Sequence, residues 1–149
     1  MLSKKTKYAL KALLALADPE RAQPVRIADL AREEQIPPKF LELILLGLKN
    51  HGVLQSRKGK GGGYLLARAP SEIYLGQIVR MFDGPLAPVP CASQTAYVRC
   101  ADCRSEAECG VHLAMKQVRD ATSRVLDGTS LADLRAQMEA AAPEHPLVL

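Results

Sequence analysis

The sequence predicts a mainly α-helical fold with a small β-wing: a winged helix-turn-helix plus a long C-terminal dimerisation helix. Three features carry that expectation. Two helical patterns, Val25 to Glu34 and Pro37 or Pro38 to about Asn50, are separated by a turn short enough for a helix-turn-helix. A basic, glycine-rich loop follows between two short strand-like runs. Further on, Val111, Met115, Val118, Thr122 and Val125 recur every three or four residues, the spacing of one helix face.

Each element has a local cause. The first helix is expected from Ser3 to about Leu16, because Leu10, Leu13, Leu14 and Ala17 repeat at helical spacing and Asp18-Pro19 ends the run. In the second helix, Ile27, Leu30 and Ala31 turn inward. Ile36 lies in the turn, and Pro37 or Pro38 takes the first position of the third helix, where a missing N–H costs nothing. Phe40, Leu41, Ile44, Leu45 and Leu48 carry that helix to a stop at Asn50-His51-Gly52. Val53-Leu54-Gln55-Ser56 and Tyr64-Leu65-Leu66 read as strands joined by the loop from Arg57 to Gly63. Gly59, Gly61, Gly62 and Gly63 allow positive φ and close backbone approach, while Arg57, Lys58 and Lys60 present charge from the same loop, which makes it a wing. No Gly-Lys-Ser/Thr follows these glycines and no helix begins there, which argues against a nucleotide-phosphate loop. A purely structural hairpin is the competing reading; the helix pair and the three cations weigh against it.

Beyond the wing, Ser71 is expected to cap a helix beginning near Glu72, with Tyr74, Leu75, Ile78, Val79 and Phe82 packing back. Asp83-Gly84-Pro85 breaks it. Pro85, Pro88 and Pro90 then form a restricted connection into Cys91, either a linker or the approach to a switchable loop. The long helix after His112 suits a partner helix or a core of its own chain. A break at 127–130, a shorter helix from Leu131 to about Met138 and a fraying proline-containing tail complete the chain. The expected organisation is residues 1–84 as the winged domain with its supporting helix, 85–110 as connection and cysteine loop, and 111–149 as dimerisation helix, short helix and tail.

Charge narrows the partner. The net charge of +4 divides into +7 over residues 1–68, with thirteen Lys/Arg against six Asp/Glu, and −3 over the remainder. Basic charge gathered in one segment suits a polyanion, since each phosphate contact releases condensed counterions. Lys39 and Glu42, at the start of the third helix, are candidates for groove contacts, with Gln55 beside them. Arg57, Lys58 and Lys60, with the amides of Gly61 and Gly62, suit the phosphate backbone or the minor groove, and Lys7 and Tyr8 a phosphate at the start of the domain. No run approaches the roughly 18 apolar residues of a membrane span, and no signal-peptide core follows the lysine-rich start, so a cytoplasmic protein with no membrane partner is expected.

Cys91, Cys100, Cys103 and Cys109 fall within nineteen residues, and His112 follows Cys109 by three. Such a cluster in a cytosolic chain points to metal or redox chemistry rather than a disulfide framework. Soft thiolates suit iron–sulfur clusters, zinc or Cu⁺, but a single Cys-x2-Cys pair departs from the usual four-cysteine zinc site. A helix starting near Glu106 or Ala107 would place Cys109 and His112 on one face. Thiol or persulfide sensing without a metal stands as an alternative. Cys109 and His112 alone do not make an enzyme, because no oxyanion site or substrate pocket accompanies them, and no catalytic residues are assigned.

These motifs together resemble the Rrf2 family of bacterial transcription regulators, which includes iron–sulfur assembly regulators and nitric-oxide-sensing repressors. The resemblance is carried by Lys7-Tyr8-Ala9-Leu10, Ile27-Ala28, Phe40-Leu41-Glu42 and above all the wing from Arg57 to Arg68, and it continues to Thr129-Ser130-Leu131-Ala132-Asp133-Leu134, covering about 130 residues. It implies a homodimer on double-stranded operator DNA, usually a repressor, with the long C-terminal helix crossing to its partner. It also implies a cluster loop in which Cys103, Cys109 and His112 match the tail of the ligand pattern and Cys91 the first position. Eleven residues separate Cys91 from Cys103, more than the family loop usually holds, and Cys100 competes as a ligand. A [2Fe–2S] cluster is the expected cofactor, with [4Fe–4S] and zinc open and a redox or nitric-oxide signal acting there. The competing expectations are a zinc-stabilised or metal-free protein-interaction adaptor and a thiol- or persulfide-responsive regulator without a cluster.

Overall fold

The computed structural model of the chain describes residues 2–142; the C-terminal tail from 143 lies outside the described residues. Among the described residues, six α-helices and two strands occur in the order α1 (Lys4–Leu16), α2 (Ile27–Glu34), α3 (Pro38–Asn50), β1 (Leu54–Arg57), β2 (Gly63–Leu66), α4 (Leu75–Asp83), α5 (Gly110–Asp127) and α6 (Leu131–Ala141), with 3-10 turns at Pro70–Glu72 before α4 and Pro90–Ala92 before α5. The chain is thus mostly helical with a two-stranded wing and a long C-terminal helix. Among the described residues, contacts gather into two compact units, one of Tyr8–Ile73 with residues 130–142, the other of residues 2–7 with Tyr74–Thr129.

In the first unit, Ala9, Ala12, Leu13, Leu30, Leu41, Ile44, Leu45, Leu48 and Val53 are buried to the last few per cent and form the core. The turn between α2 and α3 is tight because Gln35 adopts a left-handed conformation, φ 55°, and its N–H returns to the last carbonyls of α2. Lys11 Nζ covers the free Glu34 carbonyl at 2.6 Å, a favourable cation at a helix C-terminus. Pro38 opens α3. The hairpin is antiparallel with Leu54 opposite Leu66 and Arg57 opposite Gly63.

Val25, expected to begin the second helix, is instead a sheet residue. Its N–H and carbonyl exchange hydrogen bonds with Tyr64 at 2.9 and 2.8 Å, so it adds a single-residue antiparallel bridge to the wing and α2 starts two residues later. Gly63 is required there, because a methyl group on it would overlap the Val25 carbonyl. The expected Ser71 cap is also corrected. Pro70–Glu72 form a 3-10 turn, and Ile73 is drawn out of helix by its carbonyl, which accepts the Leu131 N–H at 2.9 Å. Leu131 thereby joins the same core, fully buried at the start of α6, whose capping box pairs Ser130 with Asp133. Arg135 reaches Asp18 at 3.6 Å from the next turn.

The second unit is built on α4 and α5. Ile78 is fully buried and Leu75 and Val79 nearly so. The Leu75 N–H donates to the Thr129 carbonyl at 3.0 Å, and Arg80 grips Asp127 with two parallel hydrogen bonds of 2.7 and 2.8 Å. Gly76 lies beneath that pair, where a Cβ would run into the Asp127 carboxylate. At the end of α4, Asp83 accepts from the Ser3 hydroxyl and from the Ser3 N–H at 3.0 Å. Burial pushes the Asp83 carboxyl up, but the Ser3 and Thr6 hydrogen bonds outweigh it and leave the group below its ordinary value. Among the described residues, no helix is long and apolar enough to cross a membrane.

Candidate DNA-binding surface and cysteine pocket

Helix α3 divides cleanly into two faces. Leu41, Ile44, Leu45 and Leu48 are fully buried, while Lys39, Glu42, Leu43 and Leu46 form the opposite, solvent-exposed stripe at i, i+3, i+4 and i+7. Lys39 and Glu42 were expected on this face. Leu43 and Leu46 were not singled out, although their spacing from Lys39 is the signal that finds them. Leu43 is 63% exposed, unusual for a leucine in the middle of a helix whose other face is a core. Tyr8 is half-buried with its ring edge-on to Phe40, centroids 5.6 Å apart, and Lys7 is exposed on α1.

The wing presents Arg57, Lys58 and Lys60 to solvent, and Gln55 is exposed on β1. Its tip is closed by the Gly62 N–H bonding the Gly59 carbonyl at 3.0 Å. Gly59 and Gly61 sit at positive φ, 84° and 76°, which lets the chain reverse without a side chain clashing. Gly62 is different: its φ is ordinary, but a Cβ would strike the Arg57 carbonyl. It is buried, whereas Gly61 is exposed.

The four cysteines and His112 line one cavity of about 540 Å³, together with Val89, Glu106 and their neighbours. Cys91 is buried in the 3-10 turn of Pro90–Ala92; Cys100 is exposed; Cys103 and Cys109 are half-buried. The sequence of hydrogen bonds explains how they meet. Ser93 Oγ accepts the Thr95 and Ala96 N–H groups and turns the chain, and the Val98 N–H then bonds the Pro90 carbonyl at 3.3 Å. That returns the segment to the Cys91 turn. The Cys103 N–H closes on the Cys100 carbonyl at 3.2 Å, Arg99 donates to the Cys103 carbonyl at 3.2 Å, and the Tyr97 hydroxyl bonds Glu106. The Glu106 bond, with burial and its charge, holds the Tyr97 phenol above its ordinary value.

Around Cys91, the His112 Nδ1 lies 3.4 Å from its sulfur, and Cys100 lines the same cavity. Burial pushes the Cys91 thiol up, and the charges of Cys100 and Glu106 push the same way. Cys109 is not on the face of a helix already under way. It is the N-cap of α5, which starts at Gly110 rather than near Glu106, and its sulfur accepts the His112 N–H at 3.5 Å. Four thiols and an imidazole on one cavity are a soft donor set whose chemistry fits an iron–sulfur cluster or zinc. Among the described residues, however, no three Cys, His, Asp or Glu groups are already gathered about a single point as ligands.

Comparison with known proteins bears on both surfaces. Residues 2–137 match the Rrf2 family, described as iron-dependent transcriptional regulators. A protein of Rhodobacter capsulatus described as an rrf2-like HTH-type transcriptional regulator is 41% identical over 145 residues, 95% of this chain and 97% of its own. Among solved structures, CymR, the global cysteine regulator of B. subtilis, superposes with a TM-score of 0.75 at 28% identity, over 92% of this chain and 97% of that one. T. potens IscR also gives 0.75, at 25% identity, over 97% of this chain and 93% of that one.

Proposed function

The chain belongs to the Rrf2 family of transcription regulators and is a DNA-binding homodimer rather than an enzyme, and on that premise we propose that it is a repressor whose hold on an operator is set by the state of its cysteine pocket. The observation that carries the proposal is the convergence of all four cysteines and His112 on one cavity at the first turn of α5. Its place of work is the cytoplasm, with the chromosome.

For the output, Lys39 and Glu42 read base edges from the exposed face of α3, Arg57, Lys58, Lys60 and the Gly61 amide hold the backbone or minor groove, and Lys7 and Tyr8 hold a phosphate, while Gly62, buried and with its N–H taken by the Gly59 carbonyl, shapes the wing tip instead of contacting DNA. Leu43 adds an apolar contact of the kind that a thymine methyl accepts. For the input, Cys91, Cys103, Cys109 and His112 would hold a [2Fe–2S] group, with Cys100 as the competing ligand and [4Fe–4S] or zinc as the other occupants of the same donors. When bound, an iron–sulfur group supplies redox chemistry and a target for nitric oxide. The protein's own part is to pass on the state of the sulfurs. Cys109 caps α5, so a change at its sulfur is felt in the first turn of that helix. Ten residues beyond that cap, Arg119 of α5 donates to the Ala92 carbonyl at 2.7 Å and ties the Cys91 turn to the same helix. The Arg80–Asp127 pair ties its far end to α4.

The Cys91 sulfur also meets His112 and Cys100 through protein atoms alone, which favours a second reading, thiol or persulfide chemistry without a cluster. The likeness to a cysteine regulator supports it as the family description supports the first. The experiment is anaerobic purification, visible spectroscopy, iron and acid-labile sulfide analysis, and operator binding before and after the bound group is removed by a chelator. Iron and sulfide in stoichiometric amounts with a shift of operator affinity establish the cluster. Their absence after reconstitution, with affinity responding to thiol oxidation, establishes the second reading. Sequence-insensitive, weak DNA binding in every state overturns both.

A further inference from the structure

We propose that Cys91 and Cys100 are a dithiol switch that closes to an intramolecular disulfide when the ligand-free protein meets a hydroperoxide. This deepens the pocket reading, on which only its consequence for DNA rests. The pair differs in the two respects that matter for such chemistry: Cys100 is exposed, where an oxidant reaches it, and Cys91 is buried on the same cavity. Their proximity is built by the backbone. The Ser93 turn and the Val98–Pro90 hydrogen bond lay the segment bearing Cys100 along the 3-10 turn bearing Cys91, both thiols line one cavity, and Cys100 is near enough to help raise the Cys91 thiol. Of the other sulfurs lining that cavity, Cys109 is engaged with the His112 N–H as the cap of α5, and Cys103 follows the turn closed by its own N–H on the Cys100 carbonyl.

The steps balance. The Cys100 sulfur attacks the peroxide, the O–O bond breaks, and one oxygen stays on sulfur as a sulfenic acid while the other leaves as water or alcohol. The Cys91 sulfur then attacks the Cys100 sulfur, the S–O bond breaks, and the hydroxyl leaves as water with the Cys91 proton. Two thiols lose two electrons and one peroxide gains them. His112, 3.4 Å from the Cys91 sulfur, lines the path that proton takes. The disulfide removes two of the soft donors, so oxidation and metal loading exclude each other at this pocket.

The test uses the full chain, freed of metal by a chelator, fully reduced, desalted and treated with hydrogen peroxide. Remaining thiols are alkylated and the digest is read by mass spectrometry. Trypsin separates Cys91 (peptide 81–99) from Cys100 and Cys103 (peptide 100–104) and from Cys109 (peptide 105–116). The expected product is peptide 81–99 crosslinked to peptide 100–104, retained in Cys103→Ser and Cys109→Ser and lost in Cys100→Ser. Because Cys100 is exposed, that variant folds, which a circular dichroism melt verifies. A crosslink from 81–99 to 105–116, a crosslink lost in Cys103→Ser but kept in Cys100→Ser, or four alkylated or over-oxidised thiols with no crosslink overturns the proposal. Operator binding on the same samples is a separate readout: a change of about tenfold is expected. A crosslink with unchanged affinity would leave the disulfide standing and remove the pocket as the regulatory input.

Discussion

Helices α3 and α5 are both amphipathic, yet they end differently. In α3, thirteen residues bury Leu41, Ile44, Leu45 and Leu48 completely. In α5, eighteen residues bury none, and Val111, Leu113, Val118 and Val125 stand 46–63% exposed. A helix whose apolar face is satisfied by its own unit is finished at the level of one chain. One that keeps a row of valines in water is not, and in a homodimer the second copy is what covers it. The contrast assigns stability to the first helix and assembly to the second.

The strongest way to break that contrast is to charge the open face. Val118→Asp with Val125→Asp is expected to leave helical content intact by circular dichroism while converting the dimer to monomer at micromolar concentration in sedimentation velocity. Burying a valine contributes about 1.5–3 kcal/mol, and twofold symmetry makes each substitution count twice. Operator affinity should fall with the dimer. A dimer that persists would reassign the α5 stripe.

The complementary change is Leu45→Ala in α3. It leaves a cavity in a closed core and is expected to cost about 2–5 kcal/mol in urea unfolding. A cost below about 1 kcal/mol would mean that the core relaxes around it and that α3 is less rigid than its burial suggests.

How much of this was legible beforehand follows the same division. The buried face of α3, the start at Pro38 and the wing are local patterns, and the sequence places them within a residue. Val25 and Ser71 were misplaced because distant partners decide them: Tyr64 holds Val25 in a sheet, and Leu131 holds Ile73 out of a helix. The apolar repeat begins at Val111, one residue inside α5, whereas the start near Glu106 or Ala107 that would put Cys109 on a helix face is too early, since Cys109 caps the helix instead. The cysteine cluster was evident from composition. That the segment bearing Cys100 returns to the Cys91 turn was not, because the Ser93 turn and the Val98–Pro90 bond that cause it leave no hydrophobic trace.

On the exposed side of the winged unit, Lys60→Ala tests the division of labour between wing and recognition helix. Specific and nonspecific affinity should fall together, and the slope of log K against log salt should shrink by about 0.9, one phosphate contact. Leu43→Ala should do the opposite, leaving the slope alone and weakening discrimination at thymine. A Lys60 variant that loses specificity instead would place the wing among the base readers.

The smallest expected effect concerns the Arg80–Asp127 pair, which fastens α5 to α4. Its hydrogen bond with Arg80, helped by the guanidinium charge and opposed by burial, holds the Asp127 carboxyl below its ordinary value. A carboxyl lowered on folding stabilises the folded chain above the unfolded value, near 3.8, and that contribution is lost as pH falls through the lowered folded value. Both side chains are more than a third exposed, so the pair is worth roughly 0.2–1 kcal/mol at neutral pH. Asp127→Asn should therefore be slightly less stable than the natural chain at pH 7, and the difference should close as the solution is acidified below pH 4. Gly76→Ala reaches the same pair from beneath, since its methyl group takes the space of the carboxylate. If α5 conveys the state of the cysteine pocket through this fastening, Gly76→Ala should weaken the response of operator affinity to oxidation more than it weakens operator binding itself. Equal weakening of the two would make the pair a structural tie and nothing more.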